Sequence, residues 1–429
     1  VAGETNGSLG GPFAGGLRDA FLARYDADGN RLWIRQFGTT QSDGASALAP
    51  DDAGGMFVGG WTAGNLGGPH SGLADAFVAR YDADGNQIWI TQFGTGSDDP
   101  VWALAPDGAG GVMVAGHTRG SLGGPNAGIE DAFLARYDVA GNRLWIRQFG
   151  TNRQDRARAL APDGAGGVFV AGETNGSLGG PFAGGLRDAF LARYDADGNR
   201  LWIRQFGNDG TEWASALAPD GVGGVMVAGL TNGSLVGGPP APLGDAFLAR
   251  YDGEGNQIWI RQFGTIERDC APALASDGAG GVIVGGSTKG SLGGPNTGDA
   301  DAYLARYDAE GNQRWIHQFG TTLDDQVTAL GPDGQGGVAV AGTTRGSLGG
   351  PNAGDIDAFV ARFTVDSCYA DCNKTAGPRV LDLFDFLCFQ DSFVNREPYA
   401  CDCDISTGPI VCDIFDFLCF QNAFVAGCP

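Results

Sequence analysis

Seven times along this chain the residues Asp-Ala-Phe-Leu-Ala-Arg-Tyr, or a near variant, return, with the Asp at Asp19, Asp75, Asp131, Asp188, Asp245, Asp301 and Asp357. The spacing is 56 or 57 residues, so residues 1 to 366 are one unit copied repeatedly. Self-similarity at a fixed period of this size marks a solenoid, a propeller or an array. Near-identical units leave few places for an asymmetric active site, so function has to be sought where the copies differ.

Each full unit reads as four short strands separated by turn signals. In the unit that opens at Ala45 the predicted strands are Ala45 to Ala49, Met56 to Thr62, Ala76 to Tyr81 and Gln87 to Phe93. Pro-Asp-Asp-Ala-Gly-Gly joins the first two, and Asp82-Ala-Asp-Gly-Asn86 closes a hairpin between the last two. The 76 glycines sit at such turns with no three-residue period, which is turn-dense all-β composition rather than collagen or disorder. Runs such as Asp26 to Asn30 and Asp195 to Asn199 resemble half a calcium loop, but they lack the remaining ligands and stand where a hairpin is required. One place on the fourth strand is Trp in six units, at Trp33, Trp89, Trp145, Trp202, Trp259 and Trp315. The expectation is that these rings pack between neighbouring sheets.

Net charge is -23, shared as 24 basic against 41 acidic residues in the repeats and 3 against 9 in the last 63. That balance opposes nucleic acid and anionic lipid as partners. No apolar run approaches the ~18 to 20 residues of a membrane helix. The chain starts at Val1 in mid-unit without Met or a signal peptide, which reads as a processed or truncated edge. Eight of nine cysteines lie between Cys368 and Cys428, in a segment without His. A dense, even cluster of this kind favours disulfides over a metal site and places the protein outside the cytoplasm, as an extracellular, cell-surface or periplasmic chain.

The series Ala-Leu-Ala-Pro-Asp-Gly-x-Gly-Gly-Val-x-Val-Ala-Gly-x-Thr, a Gly-rich loop, and then Asp-Ala-Phe-Leu-Ala-Arg-Tyr-Asp-x-x-Gly-Asn-x-x-Trp resembles the bacterial seven-bladed β-propeller repeat known as SBBP. The resemblance covers residues 1 to 366 and implies an all-β propeller with strands A to D running outward from the axis. It says almost nothing about activity, since fold does not dictate function. On this frame the first blade lacks strand A and the last lacks strand D. A ring of this kind closes by borrowing strand D from the N-terminus, so a D and an A strand of roughly 30 residues are expected ahead of Val1. Residues 1 to 38 are identical to 170 to 207, the mark of a recent duplication.

The copies disagree most in the D-to-A connection. One position there is acidic in all six instances, as Asp43, Asp99, Asp155, Glu212, Asp269 and Asp325, whereas the residues after it vary and include Trp102, Arg156, Arg158, Trp213 and Cys270. Strand B returns to the same face, where the residue before Thr is Glu4, Trp61, His117, Glu173, Leu230, Ser287 or Thr343. Every Trp outside the repeated place, namely Trp61, Trp102 and Trp213, falls at these variable positions. Aromatic rings beside carboxylates suit a sugar or an extended peptide. The acidic ring has two readings, a cap in which each carboxylate accepts N–H groups of its own turn, or a cation site at the channel mouth. Variation at the three Trp residues likewise reads as ligand contact or as drift on a tolerant loop. His70, His117 and His317 occupy non-equivalent places without metal spacing, and no Ser nucleophile has a matched base.

After Asp366 the composition shifts to Cys, Asp and Phe, so the domains are drawn as 1 to 366 and 367 to 429. The second holds two tandem copies, 371 to 390 and 402 to 421, each a loop followed by a short amphipathic helix. Cys372 with Cys388 and Cys403 with Cys419 are equivalent pairs that offer intra-copy bridges, the connectivity staying open. The segment resembles the Cys-rich, mainly α dockerin-like, EF-hand-related modules at the C-termini of secreted bacterial proteins, planctomycete ones especially. The resemblance implies calcium ligands at Asp371, Asn373, Asp382 and Asp385, and at Asp402, Asp404, Asp413 and Asp416. Each loop is 15 residues from first to last Asp, longer than the usual 12, which leaves calcium set against a disulfide-held helix pair.

Two functions from different classes follow. The first is a non-catalytic extracytoplasmic binding or scaffold protein, with a glycan or protein ligand on one propeller face and a C-terminal module for docking or surface retention. The second is a polysaccharide hydrolase or lyase using carboxylates at the channel mouth, since general acid and base work needs two carboxylates in different environments. A purely structural cell-envelope role stands behind both.

Overall fold

The computed structural model of the chain describes residues 1–241, 243–333 and 337–364. They form seven antiparallel sheets with no helix, and the architecture is that of an all-β, seven-bladed propeller. Its compact unit comprises Val1–Asp333 with Val338–Arg362. Five sheets hold four strands in the order A-B-C-D; blade 2, for example, is Asp43–Pro50, Met56–Thr62, Asp75–Tyr81 and Gln87–Phe93. Among the described residues the first sheet has strands B to D (Ala2–Thr5, Asp19–Tyr25, Arg31–Phe37), and the last has A to C (Asp325–Pro332, Gly337–Thr344, Asp357–Thr364). The A strands of consecutive sheets lie against one another, which puts A innermost. All the candidate calcium ligands and disulfide cysteines between 367 and 429 lie outside the described residues.

Strands B and D of blade 2 have the bounds expected from sequence. Strands A and C start one or two residues earlier, at Asp43 and Asp75. Both acids face Thr62 across the ladder, in the pairs Asp43↔Thr62 and Thr62↔Asp75, so hydrogen bonding holds polar residues in the strand that apolar patterning alone would exclude.

Blades adhere through two repeated contacts. The first is apolar. Phe57, Ala76 and Val78 of blade 2 share one buried cluster with Val101, Leu104, Val112, Val114 and Phe133 of blade 3. Phe93 stands edge-on to Phe133 there, with centroids 6.0 Å apart, and the same pairing recurs as Phe37–Phe77, Phe149–Phe190 and Phe206–Phe247. The second contact is a clip at the outer edge. Trp33 donates its indole N–H to the carbonyl of Ala83, in the C–D hairpin of the next blade, at 2.9 Å. Trp89, Trp145, Trp202 and Trp259 do the same to Val139, Ala196, Gly253 and Ala309. Arg35 adds N–H donors to the carbonyls of Gly85 and Asp84 while its guanidinium lies over the Trp33 ring. The hairpin carboxylates are used locally: Asp26 accepts from the N–H groups of Asp28 and Asn30 and from the Asn30 amide.

The D-to-A corner is built from carboxylates. Asp43 accepts the N–H of Thr39 at 2.6 Å and hydroxyls from Thr39 and Thr62. Asp19, at the start of strand C, accepts from the Ala14 N–H and the Gln36 amide through one oxygen. Its other oxygen has no partner, as in Asp75, Asp131, Asp188 and Asp245. In blade 6 the hydroxyl of Thr297 fills that role, donating to Asp301 Oδ1 at 3.0 Å. Asp19 and Asp43 are fully buried, and a Cβ placed on Gly38 would stand 2.9 Å from Asp19 Oδ1 and 3.0 Å from Asp43 Oδ2. Among the described residues neither acid has an Arg or Lys ion pair. Burial, reinforced by the Asp19 charge, pushes the Asp43 carboxyl above the ordinary value, and the same holds for Asp99, Asp155, Glu212 and Asp269 beside their partners. A second carboxylate in so dry a corner makes ionisation of Asp43 costlier.

Two predictions follow from these contacts. Gly85 has φ +77°, and a Cβ there would lie 2.8 Å from the Trp33 ring, so Gly85→Ala should lower stability by about 1–3 kcal/mol, read by thermal melts, through backbone strain plus the displaced indole. Asp19→Asn keeps an oxygen for Ala14 and Gln36 and turns an amide donor toward Asp43. Because the Asp43 carboxyl is raised in the fold, its stabilising contribution is complete below the ordinary carboxylate value and is lost as pH rises through the folded value. Asp19→Asn should therefore melt above wild type at pH 7 to 8, with the gap closing toward pH 4. A variant that melts lower across the whole range refutes a repulsive Asp19–Asp43 contact.

Candidate functional site

Three variable positions of each of blades 2 to 7 meet on the face formed by the D–A and B–C connections. Strand A supplies the first and third residues after the acid, and strand B supplies the residue before Thr. The ladder sets the first of these directly opposite the strand B residue, as Gly44↔Trp61, Arg156↔Glu173, Trp213↔Leu230, Cys270↔Ser287 and Gln326↔Thr343. Among the described residues, blades 2 to 7 thus each carry a triad of neighbouring variable residues.

In blade 2 the triad is Gly44, Ser46 and Trp61. A Cβ on Gly44 would stand 2.7 Å from the Trp61 indole nitrogen and 3.0 Å from Glu4 Oε2, so glycine is what lets the indole and the Glu4 carboxylate lie over strand A. In blade 3 Trp102 donates its indole N–H to His117 Nδ1 at 3.0 Å, with the two rings 13° from parallel. Burial holds the His117 imidazole down at about 4, so it is neutral at pH 7 with Nδ1 as the acceptor. The Arg158 guanidinium of blade 4 lies 5.3 Å from the centre of the Trp102 ring. Trp61, Trp102 and His117, together with Glu4, Arg18 and Asp98, line one cleft of about 640 Å³ across blades 1 to 3.

Beside the cleft runs a chain of ion pairs. Arg119 bridges Asp98 at 2.9 Å to Glu130 at 2.9 Å, and Arg156 links Glu130 to Glu173. Glu173 also receives Arg158 at 2.9 Å and Arg187 at 3.0 Å. Burial works to raise Glu130, but hydrogen bonds from Arg156 and Arg119 outweigh it and hold the carboxyl at about 2. Glu173 is held low in the same way by Arg158 and Arg187. Removing one member of such a buried network strands a charge, which costs far more than a surface pair contributes. Arg156 and Arg158 therefore stand in a braced wall, with Arg158 reaching the aromatic cleft.

The six acids Asp43, Asp99, Asp155, Glu212, Asp269 and Asp325 are fully buried beneath this face, facing Thr partners rather than the cleft. Trp213 stands apart in blade 5 opposite Leu230. His70 lies 3.4 Å from Asp75, and His317 rests against Trp315. Cys270 is free, with its sulfur 3.2 Å from the Ser287 hydroxyl. A smaller hollow of about 300 Å³ between blades 6 and 7 is bordered by Lys289, Asp324 and Arg345. Among the described residues no three His, Cys, Asp or Glu side chains are placed to hold a metal ion, and no helix is long and apolar enough to cross a membrane.

Sequence reasoning passed over one more variable position, the residue before the strand C Asp, which is Arg18, Ala74, Glu130, Arg187, Gly244, Ala300 or Ile356. Arg18 pairs with Glu4, Arg187 with Glu173, and fully buried Glu130 joins two arginines. The signal was present as a residue that changes freely next to one that never does.

Residues 144–179 match the family model of the SBBP beta-propeller repeat. The regulatory protein FlaEY of Caulobacter vibrioides is 29% identical over 244 residues, covering 53% of this chain and 25% of that protein. An uncharacterized WD repeat-containing protein, L264, of Acanthamoeba polyphaga mimivirus is 24% identical over 172 residues, covering 33% of this chain and 12% of that protein. The chain thus spans a quarter or less of the curated relatives it matches. Among solved structures, the Pan2 WD40 domain of Neurospora crassa is similar at TM-score 0.42 and 11% identity, over 70% of this chain and 74% of that one. The PQQ-bound aldose sugar dehydrogenase of Streptomyces coelicolor is similar at TM-score 0.39 and 10% identity, over 74% of this chain and 93% of that one.

Proposed function

We propose that the propeller is the non-catalytic binding module of an extracytoplasmic protein. It holds a glycan or protein ligand on the D–A/B–C face, and residues 367–429 dock or retain the chain at a surface. One observation carries this reading: side chains from blades 1, 2 and 3, at positions where the repeats diverge, converge on a single aromatic cleft of about 640 Å³. That size falls within the roughly 300–1,000 Å³ of small-molecule sites. The polysaccharide hydrolase or lyase alternative needs two carboxylates free to exchange protons. Within the cleft lining, Glu4 is engaged by Arg18 and Asp98 by Arg119, which supports binding over turnover.

The test is a combined glycan and peptide array probed with the full chain. Trp61→Ala and Trp102→Ala should each weaken whatever binds by at least about tenfold, the scale of a lost aromatic anchor, while Trp213→Ala changes nothing. Equal binding by all three variants removes the ligand-face reading, and release of new reducing ends from a bound polysaccharide would establish the enzyme.

Binding should also report His117. A histidine whose folded pKa is depressed contributes stability that is complete above its ordinary value and is lost as pH falls through the folded one. Affinity should stay flat from pH 8 to 5 and fall through about 4, as protonation of Nδ1 breaks the Trp102 bond. His117→Gln, which keeps an acceptor, should remove that acid limb in a pH titration followed by tryptophan fluorescence.

A further inference from the structure

We infer that the ligand of the blade 1–3 cleft is an uncharged carbohydrate chain, recognised by stacking on Trp61 and Trp102 and by hydrogen bonds from the paired charges at the cleft edge. The inference rests on reading this face as a binding face, and it names the chemistry that the cleft accepts.

Charge is the first argument. Each charged group in the lining is already in an ion pair, Glu4 with Arg18 and Asp98 with Arg119. Paired off in this way, the lining presents no net charge to draw in a cationic or anionic ligand. A hydroxyl-bearing ligand instead uses the lone pairs and N–H groups that the pairs leave free, since a carboxylate accepts several hydrogen bonds and a guanidinium offers five donors. His117 is neutral, and its Nδ1 is taken by Trp102, so it adds no charge. The Arg158 guanidinium against the Trp102 ring further disfavours a cation on that indole, because it already draws on the negative face of the ring.

Shape is the second. Pyranose rings present C–H groups on their faces and hydroxyls around their rim, which suits flat indoles flanked by polar edges. Over blade 2 the cleft is deepened because the first residue after the strand A acid lacks a side chain. Its equivalents are Pro100, Arg156, Trp213, Cys270 and Gln326, whereas Gly44 leaves room for an indole and a carboxylate over the strand. A volume of about 640 Å³ accommodates more than one sugar ring.

The experiment is isothermal titration of the full chain with three sets of oligosaccharides. The neutral set contains gluco-, manno-, xylo- and galacto-configured chains, the acidic set oligogalacturonate and oligoalginate, and the cationic set oligochitosan. At least one neutral chain should bind saturably, with affinity that changes less than about threefold between 50 and 500 mM salt. Trp61→Ala and Gly44→Ala should each reduce it at least tenfold, and Trp213→Ala should not. Thermal melts show whether Gly44→Ala is folded, and Trp61→Ala carries the test if it is not. Binding confined to the acidic or cationic sets overturns the inference, as does neutral binding that neither variant weakens. Absence of any saccharide binding, with peptides held in a Trp61-dependent way, also overturns it but leaves the binding face standing. No Trp61-dependent ligand of either kind brings down both.

Discussion

The structure depends on how one blade grips the next. An indole N–H on strand D reaches the carbonyl of the following C–D hairpin, and a glycine at positive φ in that hairpin clears the space the ring occupies. A single four-stranded blade cannot bury its own apolar faces. The clip and the Phe pairs beneath it convert each unstable unit into a surface for the next, as in other repeat arrays whose stability resides at the interfaces. For that reason Trp, Gly and Phe recur almost unchanged.

The same constraint releases the other end of the blade to vary. Once the outer edge is clipped and the D-to-A corner is held by its buried carboxylates, the residues after the acid and before the strand B Thr have only to fit one another. They do so differently in each blade: an indole over a glycine in blade 2, an indole bonded to an imidazole in blade 3, and four arginines around two glutamates in blades 3 and 4. The hydrogen-bonded corners fix the geometry of the face, while the variable triads give it chemical character.

Much of this was legible before any coordinates. The Met56–Thr62 and Gln87–Phe93 strands could be bounded from turn residues and apolar runs, because hairpin chemistry is local. The recurring acid at Asp43 and its equivalents read from sequence as a cap or as a cation site, and the structure buries it against Thr62. Glu130 was not legible as a site residue, since its partners are Arg119, just past the Val112–Thr118 strand, and Arg156, on the first strand of the next blade, 11 and 26 residues away. Nor did sequence reveal that Trp61 and Trp102 share a cleft while Trp213 does not.

Sequence alone determined the unit, its strand order and the positions at which the copies differ, because period, turn chemistry and apolar alternation are properties of neighbouring residues. Only tertiary structure decided which differing positions act together. The cross-strand register sets Gly44 beneath Trp61, and the packing of consecutive blades brings Glu4, Trp102 and His117 to the same cleft. That proximity arises between sheets, where the energy lies in interfaces that no single repeat encodes.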